Sequence, residues 1–319
     1  MLSVSFLIEL TKRDFVERFA GSILGSLWAF IWPLVNLFIY VIIFGKLMGG
    51  RLPGSADIYS YSIYLSVGLI PWTNFASSIS RSTTVFLDKK NIISKVKVSL
   101  PSLLVFINLS EAVTFVITSC FLVLFLVISD YTFTSRLLLL PFIYYLQQLL
   151  AFGLGLLFAT LTVFIRDLRE MVGIMLQLWF WFTPIVYVSD ILPDFVKTIM
   201  VYNPAFIIIE SYHRIFVFND YPDFRSLIIL AIIAHLILLI AYVVFRALEK
   251  DVRDFLLLSS SFSLPGRCCF LWRLPSSGGW LHPISRSTWY WRSIVVTLPD
   301  YFFCILSSCI LLVNYENSR

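Results

Sequence analysis

Six uncharged stretches of membrane-crossing length run through this chain, and they limit its fold more than any other feature. They are Ser22–Gly45 (24 residues), Ile58–Ser80 (23), Ala112–Ser129 (18), Leu137–Ile165 (29), Met171–Ser189 (19) and Ser226–Phe245 (20). A helix needs about 20 apolar residues to cross the hydrocarbon core of a bilayer. The composition agrees: 59% of the 319 residues are hydrophobic and 13% are charged, against about 25% charged in an ordinary soluble domain. A water-soluble globule, a disordered chain and a collagen-like chain are excluded. The sequence therefore predicts an all-α polytopic membrane protein with six transmembrane helices. A seventh uncharged run, Thr198–Ile209, has 12 residues and contains Pro204. It is too short to cross and reads as a re-entrant outer segment between spans five and six.

Lys and Arg set the orientation. With the N-terminus in the cytoplasm, the inside segments hold 13 of these cations and the outside segments hold 6. The protein is thus expected to be a multi-pass membrane protein with a cytoplasmic N-terminus. The net charge of +5 fits loops lying near anionic lipid and implies no nucleic-acid partner.

The segments between spans differ in character. Residues 3–20 have helical periodicity, with Val4, Ile8, Phe15 and Phe19 on one face and Glu9, Arg13 and Glu17 opposite. That is the pattern of an amphipathic helix in the membrane interface; a short soluble helix capping the bundle is the alternative. Gly21 and Gly25 follow, where the chain can turn. Arg81–Lys97 is long enough for a short amphipathic helix, and Arg166–Glu170 packs four charges into five residues. Both read as solvated cytoplasmic loops or as a docking surface for a cytoplasmic partner. In the outer segment Asp190–Arg225, Glu210 and Arg214 are spaced to pair on a helix, and His213 reads as polar surface.

Catalytic and metal signatures are missing. No Walker A pattern, zinc spacing, nucleophile elbow or dinucleotide fingerprint occurs, so no cofactor is expected on this chain. Glu111 borders the third run and is expected at the interface, since a charge at mid-membrane costs roughly 2.5–3.5 kcal/mol or more. His235, midway in the sixth run, reads as a neutral interhelical hydrogen-bonder. Aromatics are dense around spans one, two and five, and Trp179–Phe182 is an unbroken run of four. Lipid-facing packing accounts for many of them; aromatic faces also stack on sugar rings.

The segment Arg13-Asp14-Phe15 through Arg18-Phe19-Ala20-Gly21-Ser22 to Trp28-Ala29-Phe30-Ile31-Trp32-Pro33-Leu34 resembles the N-terminal signature of polysaccharide-export ABC permeases, the ABC-2 type exporters of O-antigen, capsule and teichoic acid. Val163–Leu168, Phe182–Tyr187, and Tyr202-Asn203-Pro204 followed by Tyr212-His213-Arg214 resemble later family motifs in the same order. The resemblance covers residues 1–256. It implies a homodimeric permease that moves lipid-linked polysaccharide, with ATP and Mg bound by a separate cytoplasmic ABC ATPase subunit. It assigns Val4, Ile8, Arg13, Phe15, Arg18 and Phe19 to an interfacial gate helix. Leu87, Asp88, Lys89 and Lys90, with Arg166, Asp167, Arg169 and Glu170, become ATPase-coupling contacts. Trp28, Trp32, Tyr61, Trp72, Trp179, Phe182 and Tyr187 become channel aromatics. Tyr202, Asn203, Pro204, Glu210, Tyr212, His213 and Arg214 become the outer gate.

Residues 257–319 depart from the family. This tail is Ser-rich and holds four of the five Cys. It reads as a disordered or out-of-frame tail, with an extra anchor over Ile294–Val313 as the alternative. A permease for a drug or small lipid is the alternative within the family. An integral-membrane glycan-modifying enzyme, acting through His235 or Glu111, is the alternative outside it.

Overall fold

The computed structural model describes residues 4–18, 21–40, 42–43, 60–95, 99–129, 131–188, 193, 195, 200 and 202–261. Phe19, the side chain of Val4 and residues 262–319 of the tail lie outside the described residues. Among the described residues the chain is helical and has no strand. In order the helices are α1 (Val4–Glu17), α2 (Trp28–Ile39), α3 (Ser60–Asp88), α4 (Lys90–Lys95), α5 (Leu100–Ile128), α6 (Leu140–Thr162), α7 (Leu168–Trp181), α8 (Pro204–Phe216) and α9 (Phe224–Ser261). Three helical stretches among the described residues are long and apolar enough to cross a membrane: Leu100–Ile128, Ser135–Thr162 and Phe224–Leu256.

The helices do not all follow the uncharged runs. α5 runs unbroken through Glu111 for 29 residues. The third expected span therefore begins too late in the sequence reading, because a charge was taken as its boundary. α3 likewise extends to Asp88, which places Arg81 inside a helix and not in a loop. α7 stops at Trp181, and Thr183–Val188 is non-helical beyond it. Pro184 has no amide proton to continue the ladder. At 14 residues, α7 is about 21 Å long. α2, at 12 residues, is about 18 Å long. It follows a turn in which Gly21 and Gly25 adopt φ of 85° and 49°, a region that glycine enters without steric cost.

α6 is the central post, packed on α3 and α9. Two glycines permit this. A Cβ on Gly155 would lie 2.6 Å from the Ser82 Cβ of α3, and one on Gly153 would lie 3.1 Å from the Leu238 nitrogen of α9. Within lipid no hydrophobic force drives helices together, so close backbone approach and interhelical polar contacts do that work. One apolar cluster gathers Phe86, Ile93, Phe106, Val163, Phe245 and Leu256, with Leu10 against it. It places α1, α4 and the α6–α7 turn at one end of the bundle. A second, including Phe75, Ile185, Ile208, Tyr212 and Leu230, seats α8 among α3, α6 and α9.

α1 meets the bundle on an unexpected face. Thr11 and Asp14 are buried, and Arg18 just beyond its end is largely so, while Ile8 and Val16 are more than half exposed. The side of this helix that carries Thr11 and Asp14 meets the bundle, together with Leu10.

Candidate functional site

The most distinctive chemistry is a buried quartet of charges. Arg81 on α3 reaches Glu111 on α5 with Nη1 (2.6 Å) and Asp14 on α1 with Nη2 (2.6 Å). Arg18 donates from Nη2 to Glu111 at 2.9 Å and to Ser110 Oγ at 3.0 Å, and from Nη1 to Thr114 Oγ1 at 3.3 Å. Ser110 in turn donates to Asp14 at 2.8 Å. Glu111 is only 2% exposed and is enclosed by protein groups. A carboxylate is tolerable there because two guanidinium groups replace its water shell. The quartet is neutral, two cations on two carboxylates, and it joins three helices. Burial pushes the Asp14 carboxyl up, but Arg81, Ser110 and Arg18 hold it below its ordinary value.

A polar ladder continues from the quartet. Asn74 on α3 donates to the Glu111 carbonyl at 2.8 Å. Its Oδ1 accepts from Gln148 (2.7 Å) and Gln147 (3.3 Å) of α6. The chain of polar contacts thus crosses from α1 to α6 through apolar surroundings.

Above the quartet lies a cavity of about 320 Å³, walled by α2, α3 and α5. Trp28 and Trp32 line it, with ring centroids 6.2 Å apart. The other expected channel aromatics have different partners. Trp72 is buried and packs on Phe75, Trp179 and Phe180. Tyr61 donates to the Val186 carbonyl at 2.6 Å, and Tyr187 to that of Trp181 at 2.9 Å. Trp72 and Tyr61 fasten α7 and its non-helical extension to α3, and Tyr187 ties that extension back to α7; none of them lines the cavity. Phe182 is exposed.

The expected outer-gate residues gather at one place. Asn203 caps α8, accepting from Ala205 N at 3.1 Å and from Trp179 Nε1 at 2.7 Å, and donating to Thr183 Oγ1 at 3.4 Å. Pro204 occupies the first turn, where its missing amide costs nothing. Tyr202 is 70% exposed. Arg214 pairs with Glu210 at 3.2 Å, as their spacing predicts. His213 corrects the sequence reading: it is 1% exposed and stacks on Tyr64 at 3.9 Å between ring centroids. Its Nε2 lies 3.0 Å from the Tyr64 carbonyl, so that nitrogen carries the proton. Gly68, one turn along α3, makes room for the imidazole. Tyr212 is buried. His235 is also corrected. It is exposed, and its Nδ1 lies 2.7 Å from Ala231 O of its own helix, with no bond to a second helix among the described residues.

At the other end, Lys89 sits in the turn between α3 and α4 and donates to Glu17 of α1 at 3.1 Å. Its ammonium also lies 5.9 Å from the Phe106 ring centroid. Arg13 pairs with Glu17 from the exposed side at 2.5 Å. Hydrogen bonds from Arg13 and Lys89 hold the Glu17 carboxyl below its ordinary value. Phe15 is half-buried, Leu87 and Lys90 are partly buried, and Asp88 is exposed. Arg166 and Asp167, on the α6–α7 turn, and Arg169 and Glu170, in the first turn of α7, are all exposed.

Sequence reading missed Asp14, Arg81, Ser110 and Asn74 as one constellation. A signal existed: Arg81 and Glu111 flank apolar runs in a chain with few charges, and ionisable groups at such depth need partners. Which charge meets which is tertiary information.

Comparisons with known proteins match these features to a family. The profile described as ABC-2 type transporter matches residues 6–217. The chain is 30% identical over 251 residues to an O-antigen export system permease protein RfbA of Klebsiella pneumoniae, covering 78% of this chain and 94% of that one. It is 28% identical over 253 residues to the RfbA protein of Myxococcus xanthus, with the same shares covered. It is 24% identical over 241 residues to the polysialic acid transport protein KpsM of Escherichia coli, covering 75% and 91%.

Proposed function

This chain belongs to the ABC-2 type transporter family, and we propose that it is the permease subunit of an ATP-driven exporter moving lipid-linked polysaccharide across the bacterial cytoplasmic membrane. It is a transport permease and not an enzyme. The observation that carries the cargo is the similarity to O-antigen export permeases over 94% of their length, with a capsular polysialic acid transporter also related.

In this reading two copies form the translocation unit, and an ATPase subunit binding ATP and Mg docks on each. Six spans and a cytoplasmic N-terminus follow from the uncharged runs and the 13-to-6 cation bias. α4 and the Arg166–Glu170 turn are the ATPase contacts. Their position at the same end of the bundle as α1 supports this. α1 is the interfacial gate helix, with Asp14 in the quartet and Ile8 and Val16 exposed on its other side. α8 is the re-entrant outer segment, and its Asn203 and His213 fix the outer gate.

Disruption of the gene tests the cargo. The expected result is loss of surface polysaccharide with lipid-linked glycan accumulating in the cytoplasm. Normal surface polysaccharide without accumulation refutes it.

A further inference from the structure

α9 is longer than crossing a membrane requires. Its 38 residues span about 57 Å, against a hydrocarbon core of about 30 Å. The uncharged run within it ends at Phe245, and six of the nine residues 246–254 are charged, so the helix continues beyond the lipid core. One side of this continuation is buried. Val252 and Leu256 join Phe86 of α3 and Ile93 of α4 in the apolar cluster at that end of the bundle. α4 thus packs on α9 as well as on α3.

Phe255 lies on a different side. Its ring meets Phe164 of the α6–α7 turn, with centroids 6.1 Å apart. Phe255, Phe164 and the neighbouring Ile165 are all exposed. Phe255 is about 15 Å further along the helix than Phe245, where hydrocarbon no longer accounts for an exposed aromatic. Exposed charges flank the three in sequence: Arg166 and Asp167 on the turn, Asp251 and Asp254 on α9. Asp251 precedes Phe255 by one turn and shares its face. An aromatic centre with a charged rim is the anatomy of a protein interface. Three of these four charges are acidic, which opposes an anionic leaflet and suits a partner surface carrying Lys or Arg.

We propose that the continuation of α9 and the α6–α7 turn form a contact for the cytoplasmic ATPase subunit, with Phe255 and Phe164 as its apolar centre, in addition to α4. The proposal rests on the transporter reading and adds to it the end of α9. Because the same stretch of α9 seats α4, a displacement of either contact reaches the other through one helix.

Photocrosslinking of the full complex tests the contact. Benzoylphenylalanine is placed at position 255 and, as the reference, at position 142, an exposed phenylalanine at the opposite end of α6 from Phe164. Permease and ATPase subunit are co-expressed, membranes are irradiated, and adducts are identified by mass. The expected result is an ATPase adduct from position 255 and none from position 142. Phe255→Ala should weaken ATPase recovery in a pull-down titration by about 5- to 30-fold, while Phe255→Leu keeps most of it and both variants insert at normal levels. Asp251→Lys should weaken recovery more at low salt than at high salt. Adducts only to lipid, to a second permease copy or within the permease, no adduct at all, or unchanged recovery by Phe255→Ala overturns the contact; recovery of the ATPase by the unaltered permease then leaves the transporter reading standing. An unaltered permease that recovers no ATPase overturns that reading and this contact with it.

Discussion

Replacing Arg81 by Met should destabilise the permease far more than any other single charge removal outside the quartet. Arg81 makes two bonds of 2.6 Å to carboxylates of which one is 2% exposed. Deleting one partner of a buried ion pair costs about 3–5 kcal/mol, because the remaining charge stays buried without compensation. Glu111 keeps Arg18 at 2.9 Å and Asp14 keeps Ser110 at 2.8 Å, so the lower end, about 3 kcal/mol, is expected. At roughly 2–4 °C per kcal/mol for a chain of this size, the Tm falls by about 6–12 °C. Arg13→Met is the control. Its partner Glu17 is the same residue type, but the pair is exposed and worth about 0–1 kcal/mol. The assay is thermal unfolding of purified permease in detergent, followed by loss of the monodisperse peak. Adding Asp14→Leu to Arg81→Met should cost less than the sum of the two single changes, because the pair is removed together. Strict additivity, or equal Tm losses for Arg81→Met and Arg13→Met, refutes a cooperative buried network.

The remaining predictions use other parts of the fold. The Asp14 carboxyl is held below its ordinary value of 3.8, so its contribution is fully present above that value and is lost as pH falls through the lowered one. The Tm gap between wild type and Asp14→Asn should therefore be constant from about pH 8 to 5 and narrow below about pH 4. Gly68→Ala brings a Cβ to 2.8 Å from His213 Nε2 and should cost about 1–3 kcal/mol in the same unfolding assay. Asn203→Ala removes a helix cap and the acceptor for Trp179, with an expected loss of about 1–2 kcal/mol. Charge reversal of Arg166 and Arg169 together should reduce recovery of the ATPase subunit in pull-downs without changing membrane insertion. Lys89 is a poor probe of that contact because it is bonded to Glu17 of α1.

The helical, membrane-embedded class was legible because exclusion of charge from long runs is a one-dimensional signal. So were the Glu210–Arg214 pair, which needs only helical spacing, and the turn at Gly21 and Gly25. Helix limits were less legible. Counting uncharged residues cut α5 at Glu111 and α3 at Arg81, because local composition does not reveal that each charge neutralises the other across 30 residues. The same blindness put His213 on the surface, when Gly68 of a distant helix opens the space that receives it. Which side of α1 meets the bundle was not legible either, because it is chosen by available partners, and for Asp14 those are Arg81 and Ser110.

The central claim is that this chain moves a lipid-linked glycan when ATP is hydrolysed on a partner. Reconstitution with that ATPase in inside-out vesicles, loaded with the lipid-linked glycan on the outer face, tests it most directly. The account predicts that glycan becomes protected from added glycosidase in an ATP-dependent manner, and that protection is lost when the permease is omitted. ATP hydrolysis by the assembled complex with no glycan reaching the lumen would contradict it.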